Sequence, residues 1–364
     1  MDIKGKRVIV AMSGGVDSSL TAALLKDQGA EVIGITLKLF DYDRSSVCDT
    51  RKKSCCSPED VYDARRVAEK VDIPFYVLDY MDIFKNCVIT NFIDEYLKGR
   101  TPNPCILCNE RVKFHYMLEQ AKELSADYIA TGHYAKRTYD EATGLYSMKK
   151  GRDDTKDQSY FLFNLTQQQL SKIIFPLGDF TKDKVRELAE SYGLKVATKQ
   201  DSQEICFVTD NDYHNFIRNN VDKKLLVPGN IVDVDGKVMG DHQGIYAYTI
   251  GQRKGLGIAH SHPLYVLGFD RDKNEVIVGD NEKLFKHEIL VHDVTFISGT
   301  APEGELKCGV KIRYSQTEAD ALLKMIDDNK AVITFSQPQR AVTPGQAAVI
   351  YIGDEVIGGG WIER

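Results

Sequence analysis

The sequence predicts an α/β protein, with an N-terminal doubly wound parallel sheet followed by two smaller β-rich blocks. Three observations predict it. Short apolar runs alternate with helical patterns up to about residue 207, which is the signature of a parallel sheet covered by helices. The first strand runs directly into a glycine turn and a helix (Lys6 to Gly29). From Gly229 onward, short strands and glycine turns replace helices, a spacing typical of small barrels or sandwiches. The boundaries read as 1–207, 208–284 and 285–364.

Taken in order, KRVIVAM (Lys6 to Met12) is the first strand, SGGVDSS (13–19) a turn, and Leu20, Ala23, Leu24 and Leu25 begin a helix that Gly29 stops. Glu31 to Leu39 is a second strand, and the polar stretch 41–57, with Cys48, Cys55 and Cys56, is a long loop. Ser57-Pro58-Glu59-Asp60 starts a helix to about Val71, with proline at the first position and acids in the first turn. Phe75 to Leu78 is a strand and Ile83 to Leu97 a helix. TPNPCILCN (101–109) opens as a stiff extended segment, and a helix is expected from Asn109 to Leu124. A strand (Asp127 to Thr131), a hairpin excursion within 134–162 turning at Gly144, a helix at Lys182 to Tyr192 and a short one at Asp212 to Val221 complete this part. The β-rich blocks follow, the second from about Lys286 to Arg364.

The 364 residues, 43% apolar and 27% charged, are those of a globular chain of two or three domains. No stretch approaches the ~18 consecutive apolar residues of a membrane helix, and the chain enters a strand too early for a signal peptide. Eight cysteines in such a chain point to reduced thiols and a cytoplasmic setting. The net charge of -6 argues against a broad nonspecific nucleic-acid surface but leaves room for local basic patches, such as Lys149, Lys150, Arg152 and Lys156.

The turn after the first strand carries the first chemistry. A helix start aims backbone N–H groups and a positive dipole end at one point, which suits an anion. Gly14 and Gly15 let the backbone approach a phosphate closely, Ser13, Ser18 and Ser19 add hydroxyls, and Asp17 is a candidate magnesium ligand. No lysine lies in the turn, so this is not the usual G-x-x-x-x-G-K-[ST] phosphate loop. SGGVDSS instead resembles the pyrophosphate loop of the N-type ATP pyrophosphatases, which implies attack at the α phosphate and release of pyrophosphate.

The cysteines carry the second. Cys105-x-x-Cys108 is compatible with half a zinc site, a redox pair or part of an iron–sulfur site. With a helix expected from Asn109, Cys108 stands at a helix N-terminus, where thiolates form more readily, and reads as a nucleophile. Cys206 follows a polar run and precedes Phe207 and Val208; from composition alone it reads as a small buried hydrophobe.

SGGVDSS, CCSPEDVYDARRVA (55–68), TPNPCILCN, TGHYA (131–135), KDQSYFL (156–162), KQDSQEICFV ending at Val208, GQRKGLGI (251–258) and TPGQAAVIY (343–351) together resemble the tRNA-specific 2-thiouridylases, the MnmA family, in order and from end to end. The resemblance implies a pyrophosphate-loop ATPase domain of the adenine nucleotide alpha hydrolase type, a small central β-rich domain and a C-terminal β-barrel similar to the second domain of elongation factor Tu. It implies ATP with magnesium, adenylylation of the wobble uridine of tRNAs for Lys, Glu and Gln, and sulfur delivery from a persulfide on Cys206, with Cys108 as the partner thiol that closes a disulfide with it. A sulfur-relay protein or a cysteine desulfurase is the implied sulfur donor. The implied ATP site is Ala11, Met12, Ser13, Gly14, Gly15, Val16, Asp17, Ser18, Leu37 and Gly132. The implied tRNA contacts are Asn103, Pro104, Cys105, His133, Lys156, Asp157, Gln158, Arg313, Tyr314 and Gln346. Cys105 departs from the aspartate common in that motif, so the family's acid–base carboxylate is missing. Cys105, Cys108 and Cys206 holding a [4Fe–4S] cluster is therefore an alternative route for sulfur, and a synthetase that adenylylates a small molecule, or a nucleotide-gated RNA-binding module, are alternative functions.

Overall fold

A computed structural model describes residues 2–40, 57–200, 205–208 and 212–363. The expected loop at 41–57, with Cys48, Cys55 and Cys56, lies almost wholly outside the described residues.

The first part is built on a five-stranded parallel sheet. Its strands are β1 (Arg7–Ala11), β2 (Glu31–Lys38), β3 (Phe75–Asp79), β4 (Tyr128–Ala130) and, beyond a hairpin, β7 (Ile173–Ile174). Their order in the sheet is β3-β2-β1-β4-β7. Strands buried on both faces read as continuous apolar runs, and β1 shows why. Ile9 packs into a cluster on one face with Ile33 and Ile35, whereas Val8 and Val10 pack into the other with Leu20 and Val67. Helices α1 (Val16–Asp27) and α2 (Pro58–Lys70) cover the second face. The two-residue strand β7 was too short to leave a periodic signal.

Two helical segments differ from expectation. Residues 81–97 form one helix widened to π winding over Lys85–Ile89. The second begins at Pro104, not Asn109, and is wound as a π-helix over Cys108–Tyr116 before ending at Glu123. Pro104 takes the first helical position, where its fixed φ and missing N–H cost nothing, and Asn103 ahead of it is extended (φ −113°, ψ 93°).

The hairpin of β5 (Ala135–Asp140) and β6 (Leu145–Lys150) turns at Gly144, whose φ is +69°. It does not stay with the parallel sheet. In the C-terminal part, β12 (Phe285–Phe296), β13 (Glu305–Lys311), β14 (Ala319–Met325), β15 (Lys330–Arg340), β16 (Ala347–Ile352) and β17 (Glu355–Ile362) close a barrel through β12–β17 pairing. β6 adds to that barrel along β17, Met148 opposite Val356 and Lys149 opposite Glu355. Tyr160 donates to the Ala347 carbonyl at 2.9 Å in the same buried seam, and Lys150 pairs with Glu318 at 2.5 Å. The barrel is thereby fastened to the first part. Lys149 also pairs with Asp354, so half of the expected basic stretch serves this seam. Between the two parts, β8 (Gly229–Val232), β9 (Val238–His242), β10 (Tyr265–Asp270) and β11 (Glu275–Gly279) form a four-stranded sheet around Ile231, Val266, Val276 and Val278.

Candidate active site

The turn 13–15 leaves the carboxyl end of the central strand β1 and starts α1, the place where open α/β sheets bind ligands. Met12 is tied to β2 by its N–H to the Ile35 carbonyl (2.8 Å). Ser18 Oγ receives the Ser13 N–H at 3.1 Å and donates to the Gly15 carbonyl at 3.2 Å. Gly14 has φ +73°, and a Cβ there would lie 2.1 Å from the Asp60 carbonyl oxygen. Only glycine lets the turn lie against α2. Gly15 is the N-cap of α1 and offers no side-chain cap. The first N–H groups of a helix have no partner inside it, so this helix start is open to an anion. Gly132 is required by the same packing, since its Cβ would meet the backbone of Asp17 and Ser18 at 2.8 Å. Ala11 ends β1 and Leu37 is buried near the end of β2, so the expected nucleotide residues gather at one edge of the sheet.

The lysines missing from the turn arrive from elsewhere. Thr181 caps the helix Lys182–Ser191, and its first residue, Lys182, reaches both carboxylate oxygens of Asp17 at 2.8 Å. The Tyr134 hydroxyl donates to the same carboxylate at 2.7 Å. Asp17 therefore holds a buried cation, and the expectation that it serves magnesium meets a carboxylate already engaged at both oxygens. Lys199 bonds the Gly14 carbonyl at 3.0 Å, Asp60 at 2.6 Å and Asp63 at 2.7 Å. Burial opposes charge on Lys199, but the bonds to Asp60 and Asp63 outweigh it and its pKa is raised. Sequence reasoning missed Lys182, Lys199, Asp60, Asp63 and Tyr134. A Thr-Lys pair opening a helix was the available signal for Lys182.

The cysteines correct two expectations. The helix begins at Pro104, so its N-terminal field falls on exposed Cys105 and not on Cys108, which lies buried one turn in. Cys108 belongs to the cluster with Ile106, Phe84 and Phe92, and Cys206 packs against that same cluster. The turn bearing Cys206 closes through Val208 N–H to the Ile205 carbonyl (3.0 Å) and is anchored by Phe207 among Phe84, Phe92 and Phe216. Cys108 is buried and Cys206 is partly buried. Among the described residues no three Cys, His, Asp or Glu side chains converge to hold a metal ion. Cys105, Cys108 and Cys206 thus do not fit a [4Fe–4S] ligand set here. Cys308 is a barrel-core thiol, donating to the Ala321 carbonyl and pushed up to about 11 by burial.

The barrel grips the TPNP segment. Gln346 Nε2 donates to the Thr101 (2.8 Å) and Pro102 (3.3 Å) carbonyls, and Thr101 N–H bonds the Pro344 carbonyl. Tyr314 is exposed, meets Phe161 in a tilted ring contact with centroids 4.5 Å apart and lies near Asp157, Asp153 and Cys105, with burial first among the causes that raise its pKa. Several residues expected at RNA are structural in this fold. Asp157 is buried and receives the Gly151 and Ser159 N–H groups and the Ser159 hydroxyl. His133 is buried beside Phe114 and Phe175, bonded to Thr131 Oγ1 at 2.7 Å, and desolvation holds its pKa well below the usual value. Pro104 is buried, and Arg313 donates to the Ala341 carbonyl and Thr343. Gln158 is half-buried and accepts the Tyr134 N–H through Oε1, while Asn103 and Lys156 are half-buried.

Fold and site together define a nucleotide-binding α/β domain with an open phosphate loop, joined to two β modules. Family models match the chain in three stretches: a tRNA methyl transferase HUP domain over residues 6–210, a tRNA methyl transferase PRC-barrel domain over 214–280 and an aminomethyltransferase beta-barrel domain over 286–362. The tRNA-specific 2-thiouridylase MnmA of Geotalea uraniireducens is 54% identical over 362 residues, covering 99% of this chain and 96% of that one. Its counterpart in Clostridioides difficile is 50% identical over 359 residues, covering 99% and 98%. The chain belongs to the tRNA-specific 2-thiouridylase family.

Proposed function

We propose that this protein is a tRNA-uridine 2-sulfurtransferase acting at the wobble position, in tRNAs for Lys, Glu and Gln. ATP, with magnesium as its counter-ion, would occupy the open start of α1, where the glycine–serine turn would hold its phosphates. The C2 oxygen of uridine attacks the α phosphate and pyrophosphate leaves, which gives a carbonyl carbon a leaving group it otherwise lacks. Cys206 takes a sulfane sulfur from a donor protein's persulfide, releasing the donor thiolate. The terminal sulfur of the Cys206 persulfide attacks C2, and AMP departs with the former C2 oxygen. Cys108 thiolate then attacks Cys206 Sγ. The S–S bond breaks, its electrons pass to the sulfur on C2 as the thiocarbonyl forms, and a Cys108–Cys206 disulfide remains for an external thiol to reduce.

One observation carries this reading: an uncapped glycine–serine loop and two cysteines packed on one core cluster, Cys108 and Cys206, meet in a single domain. Asn103, Cys105, Lys156, Gln158 and Tyr314 are the proposed RNA-facing set. Pro104, His133, Asp157, Arg313 and Gln346 hold that set in place. Among the described residues no helix is long and apolar enough to cross a membrane, and we place the enzyme in the cytoplasm with its tRNA. The test is nucleoside analysis of unmodified tRNA after incubation with enzyme, ATP and a persulfide donor. 2-Thiouridine that requires ATP is the expected product; its absence, with pyrophosphate released only on a small acid, would mean a small-molecule synthetase.

A further inference from the structure

The glycine pair that suits the turn to a phosphate also makes it easy to misfold locally. The 14–15 peptide is flanked by two glycines, so it can flip with little steric cost. One orientation aims an N–H at the nucleotide; the other aims a carbonyl oxygen at a polyanion. Something must hold the first.

Lys199 is placed to do so. Its ammonium has three donors, and three acceptors surround it: the Gly14 carbonyl, Asp60 Oδ1 and Asp63 Oδ2. The described chain has no cis peptide, and in a planar trans peptide C=O and N–H point in opposite directions. A Gly14 carbonyl turned to Lys199 therefore turns the Gly15 N–H away from it, into the start of α1. The anchor is itself rigid. Asp60 Oδ2 accepts from Ser57 N–H at 3.0 Å and Ser57 Oγ at 2.9 Å, which leaves Oδ1 for Lys199. Arg186 fixes the backbone on the other side by donating to the Ala197 and Lys199 carbonyls. With two carboxylates around it, Lys199 brings no net positive charge to a phosphate. Its contribution is orientation.

We infer that Lys199, held by Asp60 and Asp63, is a positioning residue that locks the Gly14–Gly15 peptide with its N–H facing the nucleotide. The inference rests on the adenylylating reading above and names how its loop is set. The experiment measures tRNA-dependent pyrophosphate release, tRNA affinity and melting temperature for wild type, Lys199→Met and Lys199→Arg. Wild-type release that does not depend on tRNA would count against the proposed function and is read first. Given that release, Lys199→Met is expected to raise KM for ATP about tenfold, the size of one lost hydrogen bond to a charged group, with kcat within about twofold and tRNA affinity unchanged. Lys199→Arg restores most of the loss. An unchanged KM for ATP overturns the inference. So does a parallel loss of ATP and tRNA affinity that Arg does not rescue, because general weakening of the fold behaves that way. Should Lys199→Met not fold, Asp63→Ala removes one acceptor and leaves the Gly14 bond: a KM rise of about threefold supports the lock, and no rise overturns it.

Discussion

Two helices begin side by side in the first domain, and they begin in opposite ways. α2 starts with a full capping box, Ser57 accepting from Asp60 N–H and Asp60 accepting from Ser57 N–H, with Pro58 at the first position. α1 starts on Gly15 with no side-chain cap at all. The first satisfies its own N–H groups; the second leaves them for something else. The helix Lys182–Ser191 is also capped, by Thr181, whereas the helix starts at Met81 and Pro104 share with α1 the lack of a side-chain cap. The lesson is that stability and binding are divided between adjacent helix ends, and Asp60 belongs to both through Lys199.

Substitutions at the two helix ends should separate these roles. Gly14→Ala should be the most severe. Its Cβ would collide with the Asp60 carbonyl from a left-handed conformation, and a displacement of that kind costs on the order of a hundredfold or more in rate. Pyrophosphate release with tRNA is the measurement. Asp17→Ala leaves Lys182 buried without its carboxylate, and should lower stability by about 2–3 kcal/mol as well as release of pyrophosphate; Asp17→Asn should lose less of each. Ser57→Ala removes the cap on α2 and should cost about 1 kcal/mol in denaturant titration while KM for ATP stays unchanged. A loss of pyrophosphate release as large as that of Gly14→Ala would erase the distinction between the two ends.

Smaller effects test the thiols and the buried imidazole. Cys308→Ser should thiolate tRNA normally, and the wild-type Cys308 thiol should resist alkylation until pH approaches its raised value of about 11. His133 has a folded pKa below its unfolded one, so the unfolded chain binds the extra proton. Stability contributed by neutral His133 is present above the unfolded value near 6.5 and is lost as pH falls below it. His133→Gln should flatten that acid slope in a melting-temperature series.

Much of the architecture was legible in the sequence for a physical reason. Strands buried on both faces leave unbroken apolar runs, as in Val8 to Val10 and Val32 to Ile35, and glycine marks the turns where only glycine fits. What was not legible depends on distant pairing. Nothing local in 135–150 announces that Met148 will pair with Val356. The start at Pro104 was obscured because X-Pro reads as extended, although the second proline of TPNP takes the first helical position. The loop and the Cys105–Cys108 pair stood out as motifs, whereas Cys206 read as a small buried hydrophobe until the family resemblance gave it a role. Lys182 and Lys199 did not, because an isolated lysine looks like solvated surface until the fold sets Asp17, Asp60 and Asp63 around it.

The most direct measurement is a single-turnover reaction of Cys206→Ser with ATP and unmodified tRNA, following pyrophosphate and nucleosides together. The account predicts tRNA-dependent pyrophosphate release with no 2-thiouridine, because the open start of α1 still activates the base while the sulfur carrier is gone. Formation of 2-thiouridine by this variant, or pyrophosphate release that ignores tRNA, would contradict it.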